Sequence, residues 1–140
     1  MRPPRLCKRC GKPLSKQRAR QRKKYCFRDE IIVKREQSDA AHERRCESLY
    51  GLRPGDYKRL LAAQGGRCPI KGCQARGISR RLSVDHDHKL GFTNRRAVRG
   101  LLCKKHNGML GDVADDPEVF ESLADYLRNP PARKVLTDGD

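Results

Sequence analysis

The chain has no tryptophan, only four tyrosines and only three phenylalanines among its 140 residues. So few large apolar side chains cannot build one extended core, and small domains of this kind usually need a metal, disulfides or a partner chain. No apolar run approaches the roughly 20 residues that a membrane-spanning helix requires. The opening Met-Arg-Pro-Pro has no apolar leader. A soluble, intracellular protein with no membrane partner is therefore expected. The scarcity of aromatics also argues against base stacking as a leading mode of nucleic-acid binding.

What is abundant is positive charge, and it is unevenly spread. Residues 1–50 hold 16 Lys and Arg against 6 Asp and Glu, and residues 51–111 hold 14 against 3. Residues 112–140 reverse the balance, with 3 against 8, leaving a formal charge of +16 overall. Clustered basic residues release condensed counterions when they neutralise phosphates, so a polyanion is the natural partner of the first two segments. Arginine dominates, and its planar fork suits bidentate phosphate contacts. Nucleic acid is the expected ligand.

Seven cysteines is an odd number for a disulfide framework, and their spacing points to metal thiolates instead. Cys68-x4-Cys73 and Cys103-x2-His106 each let a tight turn aim two side chains at one ion. Together they make a closed tetrahedral zinc site, structural rather than catalytic because no coordination position is left open. Its binding energy would serve as folding energy. Cys7-Lys-Arg-Cys10-Gly11 is a second, sharper knuckle, and Cys26 supplies a third ligand. Cys46 or His42 could complete this possible second zinc site.

Three parts follow along the chain. Residues 1–48 form a basic N-terminal segment, in which Ser15–Lys24 is a helix face or a solvated loop and Arg28–Leu49, free of Pro and Gly, can be helical. In residues 49–111, Pro54 reads as a first-turn proline of a helix carrying Tyr57, Leu60, Leu61 and Gln64, and Gly65-Gly66 stops it. Leu82–Val84 and Ala97–Leu102 read as short strands of a hairpin joined by the basic linker Lys89–Arg96, and Lys104–Leu110 as a short helix. Residues 112–140 form an acidic C-terminal helix and tail. There Asp115 or Asp116 caps a helix with Pro117 at its first position and an apolar stripe of Val119, Phe120, Leu123, Ala124 and Leu127, ended by Asn129-Pro130-Pro131. The class is small α+β.

Between the two halves of the zinc set lies Val84-Asp85-His86-Asp87-His88. Two His and two Asp at a strand end are costly as mere structure, whereas a metal and a general base account for them. Asp85 is a hard oxygen ligand for Mg²⁺ or Mn²⁺. His86 titrates near neutrality and can take a proton from water. Asn107, directly after His106, offers a second oxygen. In an ideal strand Asp85 and His86 face opposite ways, so they share a site only if the strand bends or ends there. A second zinc cluster or a solvated loop is the competing reading of this segment. Lys89, Arg95, Arg96 and Arg99 on the hairpin could grip backbone phosphates.

Cys68…Cys73, Leu82-Ser-Val-Asp-His-Asp-His88, Arg99-Gly-Leu-Leu-Cys103 and His106-Asn107-x-x-Leu110-Gly111 resemble the recombination endonuclease VII family of His-Me finger (HNH) nucleases. So do the lead-in Tyr50-Gly-Leu…Arg67-Cys68 and the helix after Asp115. The resemblance covers residues from about 49 to 128. It implies a zinc-stapled ββα-metal, treble-clef-like core with flanking helices. The implied activity is hydrolysis of DNA phosphodiesters in duplex or branched DNA, by junction resolution or nicking, as in phage DNA processing and packaging. Asp85 and Asn107 would hold the catalytic Mg²⁺ or Mn²⁺, His86 would activate water, and His88 would contact the scissile phosphate, leaving a 5′-phosphate and a 3′-hydroxyl. The resemblance also admits a homodimer and, for a phage-encoded chain, the host cytoplasm. Two positions depart from the family: its last zinc ligand is usually Cys where this chain has His106, and some relatives carry a carboxylate where this chain has Leu110. A non-catalytic zinc-finger DNA-binding protein is the alternative function, and an RNA-binding zinc ribbon a third.

Overall fold

The structure, a computed structural model, describes residues 3–78 and 80–136. The last four residues of the expected acidic tail lie outside this range. The order of elements is α1 (Lys16–Arg20), α2 (Phe27–Tyr50), α3 (Asp56–Ala63), β1 (Ser83–His86), β2 (Val98–Leu102), α4 (Lys104–Asp112), α5 (Pro117–Arg128) and α6 (Ala132–Val135). Two single 3₁₀ turns, His88–Leu90 and Arg95–Ala97, lie between the strands. The small α+β class expected from the residues is the class found.

α2 forms because nothing breaks it: 24 residues without Pro or Gly, with Asp29 and Glu30 in its first turn, where the helix dipole favours acids. It crosses position 48 unbroken, so the basic N-terminal segment joins the rest of the chain through a helix and not through a linker. It is polar on every side, and its only buried residues are Asp29 near the start and Cys46 near the end. Its first half meets the N-terminal lobe through Asp29, Glu30 and Glu36, and its second half lies along the sheet-bearing body through Asp39, Glu43 and Cys46. It stops at Gly51, whose left-handed φ of +66° closes the C-cap by donating to Glu47 O at 2.8 Å.

α3 starts two residues later than Pro54 suggests. Gly55 caps it with φ +83°, and the Asp56 carboxylate turns back to accept the Arg53 N–H at 3.0 Å. Asp56 also pairs with Arg59 and Arg95, which hold its carboxyl far below the usual range, Arg95 most strongly. Arg95, expected on the phosphate-gripping face, thus anchors the inter-strand loop to α3 instead. At the other end of α3, Gln64 bonds both backbone groups of Leu101, accepting from its N–H and donating to its C=O, each at 2.8 Å. One side-chain amide thereby takes the place of a neighbouring strand along β2.

β1 and β2 are antiparallel. Ser83 pairs with Leu102, Val84 with Leu101 and Asp85 with Gly100, but His86 pairs with Val98, leaving Arg99 as an extra residue in β2. This β-bulge falls at the Asp85–His86 step, where it bends the ladder and increases its twist. The core lies against the sheet: Leu52, Tyr57, Leu82, Val84, Leu101 and Leu102, joined by Cys46 and Cys68. Leu101 is fully buried. Tyr57 places its hydroxyl on Leu82 O at 2.9 Å, so the one large aromatic of the core is also satisfied as a donor. α5 begins as its residues dictate, with Asp116 capping Glu118 N–H at 2.9 Å and Pro117 in the first turn.

Candidate active site

Two turns bring the first ligand set together. Cys68 N–H donates to Ala75 O and Cys73 N–H to Ile70 O, both at 3.0 Å, folding 68–75 into a knuckle. Cys103 is the N-cap of α4, and His106 follows one turn later. Cys68 Sγ lies 3.4 Å and Cys103 Sγ 3.2 Å from His106 Nδ1, and Cys73 Sγ is 3.9 Å from Cys103 Sγ. Ligand bonds of about 2.3 Å to sulfur and 2.0 Å to nitrogen set tetrahedral edges of about 3.8 Å for S···S and 3.5 Å for S···N. The four side chains therefore already stand at the corners that zinc requires. The His106 N–H at the start of α4 holds the Cys103 thiol below its ordinary range, which favours the thiolate. The structure thus brings together all four residues expected here, and their donor set could hold zinc.

Next to this knuckle, β1 delivers Asp85 and His86. Asp85 is buried and accepts two hydrogen bonds from Arg99, at 2.9 Å from Nε and 2.7 Å from Nη2. Arg99, the bulged residue, also reaches Asp115 at 3.0 Å. Asp115 in turn meets His88 Nδ1 at 3.2 Å. The His88 ring lies 4.5 Å from the His86 ring, between centroids. Asp85, Arg99, Asp115, His88 and His86 thus form one connected group. His86 is half-buried among Tyr50 at 5.1 Å, Phe92 at 5.5 Å and His88. Burial, reinforced by the positive charge of neighbouring groups, lowers its pKa and favours the neutral imidazole. Three polar atoms are buried without a hydrogen bond: His86 Nε2, Asn107 Oδ1 and Asp115 Oδ1, the last in ion-pair contact with Arg99. Unmade hydrogen bonds of that kind are expensive in a folded protein, and they mark places where a water, an ion or a substrate belongs.

The loop between the strands is held by its own side chains and by the end of α2. Asp87 caps the first 3₁₀ turn by accepting from Lys89 N–H at 2.8 Å, and Asn94 caps the second by accepting from Arg96 N–H at 3.0 Å. Asp87 therefore serves the loop and not the site. Thr93 N–H donates to Leu49 O at 3.0 Å, tying the loop to the end of α2 beside Tyr50.

Comparison with known proteins bears on this arrangement directly. A family profile described as recombination endonuclease VII matches residues 43–129, a span that contains the knuckle, both strands, Asn107 and Asp115. The chain belongs to the recombination endonuclease VII family. It is 40% identical over 135 residues to the gene 59 protein of Mycobacterium phage D29, covering 93% of this chain and 77% of that protein. It is 45% identical over 101 residues to the gene 59 protein of Mycobacterium phage L5, covering 71% of this chain and 57% of that protein. No solved structure matches. A nuclease family and phage relatives agree with the phage nuclease that the resemblance implies.

Three residues of this endonuclease VII chain take places that the sequence did not announce. Asp115 was expected only as an alternative cap for α5; Asp116 caps, while Asp115, at φ +59°, turns back to Arg99 and His88. Cys46 does not join Cys7, Cys10 and Cys26. It is buried in the core with its Sγ 3.6 Å from His42 Nε2, and His42 packs edge-on to Tyr57 at 4.5 Å. Both candidates for the fourth ligand are thus used elsewhere, because they lie in the second half of α2 whereas Cys26 caps its first turn. The residue that does meet Cys7, Cys10 and Cys26 is Asp29.

Proposed function

We propose that the protein is a metal-dependent DNA endonuclease built on a ββα-metal core, the two strands and α4, with Cys68, Cys73, Cys103 and His106 holding a structural zinc. The observation that carries this reading is His86 Nε2, buried without a hydrogen bond, on the residue next to a carboxylate already organised around a cation; Asn107 Oδ1 is a second buried oxygen without a partner. The guanidinium of Arg99 meets that carboxylate's need for positive charge, and a divalent ion suits the same oxygen donors. Asp85 and Asn107 are the residues that would hold Mg²⁺ or Mn²⁺. When bound, the ion supplies charge stabilisation to the phosphate as it passes through its transition state.

The chain's own residues do the rest. Neutral His86 accepts, through Nε2, a proton from the water that attacks phosphorus; the new P–O bond forms as the P–O3′ bond breaks, and the leaving oxygen takes up a proton from solvent. The products are a 5′-phosphate and a 3′-hydroxyl. His88, held by Asp115, faces the phosphate from beside His86, and Lys89 and Arg96, both exposed, contact the flanking backbone. The end of β1 at His86 supports the reading, since in a continuing strand these two side chains would point apart.

Supercoiled plasmid and a synthetic four-way junction, each with Mg²⁺ or Mn²⁺, test it beside His86→Ala. Cutting should require the ion and should fall at least about 10²-fold in the variant while DNA binding persists. Faster cutting of the junction than of the plasmid would assign branched DNA as the substrate. Undiminished cutting by His86→Ala would remove the imidazole from the chemistry, and binding without cutting by either protein would favour a DNA-binding regulator.

A further inference from the structure

The N-terminal lobe, residues 3–26, lies outside the span matched by the family. It is folded by very little: Leu14 is its one buried aliphatic side chain. Yet it makes a defined turn. Cys7 N–H donates to Lys12 O at 2.8 Å, Gly11 N–H to Cys7 O at 3.0 Å with Gly11 at φ +70°, and Lys8 N–H to Lys24 O at 2.9 Å. These bonds bring Cys7, Cys10, Cys26 and Asp29 together, with one ligand atom from each, all within 4.8 Å of one another. Cys10 Sγ is 4.0 Å from Cys26 Sγ, and Cys7 Sγ is 3.1 Å from Asp29 Oδ2. The Cys26 N–H points at Cys7 Sγ, 3.3 Å away.

Asp29 is the first acidic residue of the chain; twelve Lys and Arg precede it. An acid in that setting would be expected to lie on the surface among those cations. Instead it is 7% exposed and turned toward three sulfurs. Three cysteines and a buried carboxylate within ligand distance form a donor set for a divalent ion, which takes the place of the thiol protons when it binds. Zinc accepts carboxylate oxygen alongside cysteine sulfur. We infer that the chain carries a second zinc site, ligated by Cys7, Cys10, Cys26 and Asp29, which clasps the basic N-terminal lobe to the first turn of α2. The four anions around one zinc leave a net negative centre; Arg9, paired with Glu36 on α2, is the cation that acts on Asp29, while Arg18 and Lys23 tie the lobe to α2 through Glu30. The site is separate from the nuclease reading, because its ion count does not depend on whether His86 cuts DNA.

Metal analysis of the full-length protein, loaded with zinc and freed of excess, tests the assignment. Wild type should hold two ions per chain, Asp29→Ala one, and Cys46→Ala two. Asp29→Cys should hold two. With cobalt(II) in place of zinc it should gain thiolate-to-cobalt absorption, because seven cysteine ligands would replace the six of the two clusters. This last variant keeps the test decisive should Asp29→Ala fail to fold. Equal ion counts in wild type and Asp29→Ala, loss of an ion in Cys46→Ala, or no added thiolate absorption in Asp29→Cys would each overturn the assignment.

Discussion

At the scale of single residues, the side chain that most changes the picture of the site is Asp115. His88 alone, on an exposed turn, would sample several rotamers; with Nδ1 fixed 3.2 Å from Asp115 its other nitrogen has one direction. Partners that orient a working histidine in this way are typically worth 10–100-fold in activity. Asp115→Ala should therefore lower the plasmid-cutting rate by about 10–100-fold with zinc content and DNA affinity unchanged. A variant that cuts at the wild-type rate would leave Asp115 as nothing more than a partner for Arg99. The ligands of the knuckle were legible because each pair, Cys68 with Cys73 and Cys103 with His106, has a local and chemically restrictive spacing. Asp115 and Asp29 were not, because each acts on residues that only the folded chain returns to it: Asp29 lies 22 positions from Cys7 and Asp115 lies 27 from His88. Cys46 misled for the converse reason. Its residue type suits a ligand, but its place on α2 faces Tyr57 and the core.

At the scale of elements, α2 and the loop before β2 meet at Gly51. A Cβ at this position would stand 2.8 Å from Thr93 O, a backbone atom, at a φ of +66°. Gly55 is also left-handed, at φ +83°, but has nothing within 4 Å of the same position. The two separate conformational strain from collision. Gly55→Ala should cost about 1 kcal/mol, the price of the positive φ alone, whereas Gly51→Ala should cost clearly more because the loop carrying Thr93 must move. Urea unfolding of the two variants measures the difference, and equal losses would mean that the 93–95 backbone yields freely. Because that loop also carries Phe92 against His86, Gly51→Ala should lose activity before it loses its fold. The element types were readable from the sequence: an unbroken run predicts α2, and a Pro after an Asp predicts α5. The edges were not, since α3 starts where Asp56 can reach Arg53 and β2 starts after a 3₁₀ turn capped by Asn94. Nor does a strand sequence announce a bulge, whose extra residue is seen only against its partner.

At the scale of the whole molecule, a small N-terminal lobe sits on the first half of α2, and the sheet-bearing body packs along its second half. Neither lobe has the apolar material for a large core, and α2, about 36 Å long at 1.5 Å per residue, is buried only near its two ends. Positive charge is dense at both ends, with 16 Lys and Arg in residues 1–50 and 14 in residues 51–111. If both lobes touch the DNA backbone, many counterions leave on binding, and affinity must fall steeply with salt. For six or more phosphate contacts the loss between 50 and 200 mM salt is about 10³-fold or greater. His86→Ala, which should bind without cutting, allows this to be followed by fluorescence anisotropy. The contribution of the N-terminal lobe can be separated on the same protein by adding Lys12→Ala, Arg20→Ala and Arg22→Ala, three exposed positions. Each phosphate contact contributes about 0.9 to the slope of log affinity against log salt. The triple variant should therefore flatten the slope by up to about 2.7 while leaving the active site intact. An unchanged slope would confine the DNA to the nuclease end and leave the N-terminal lobe without a role in holding it.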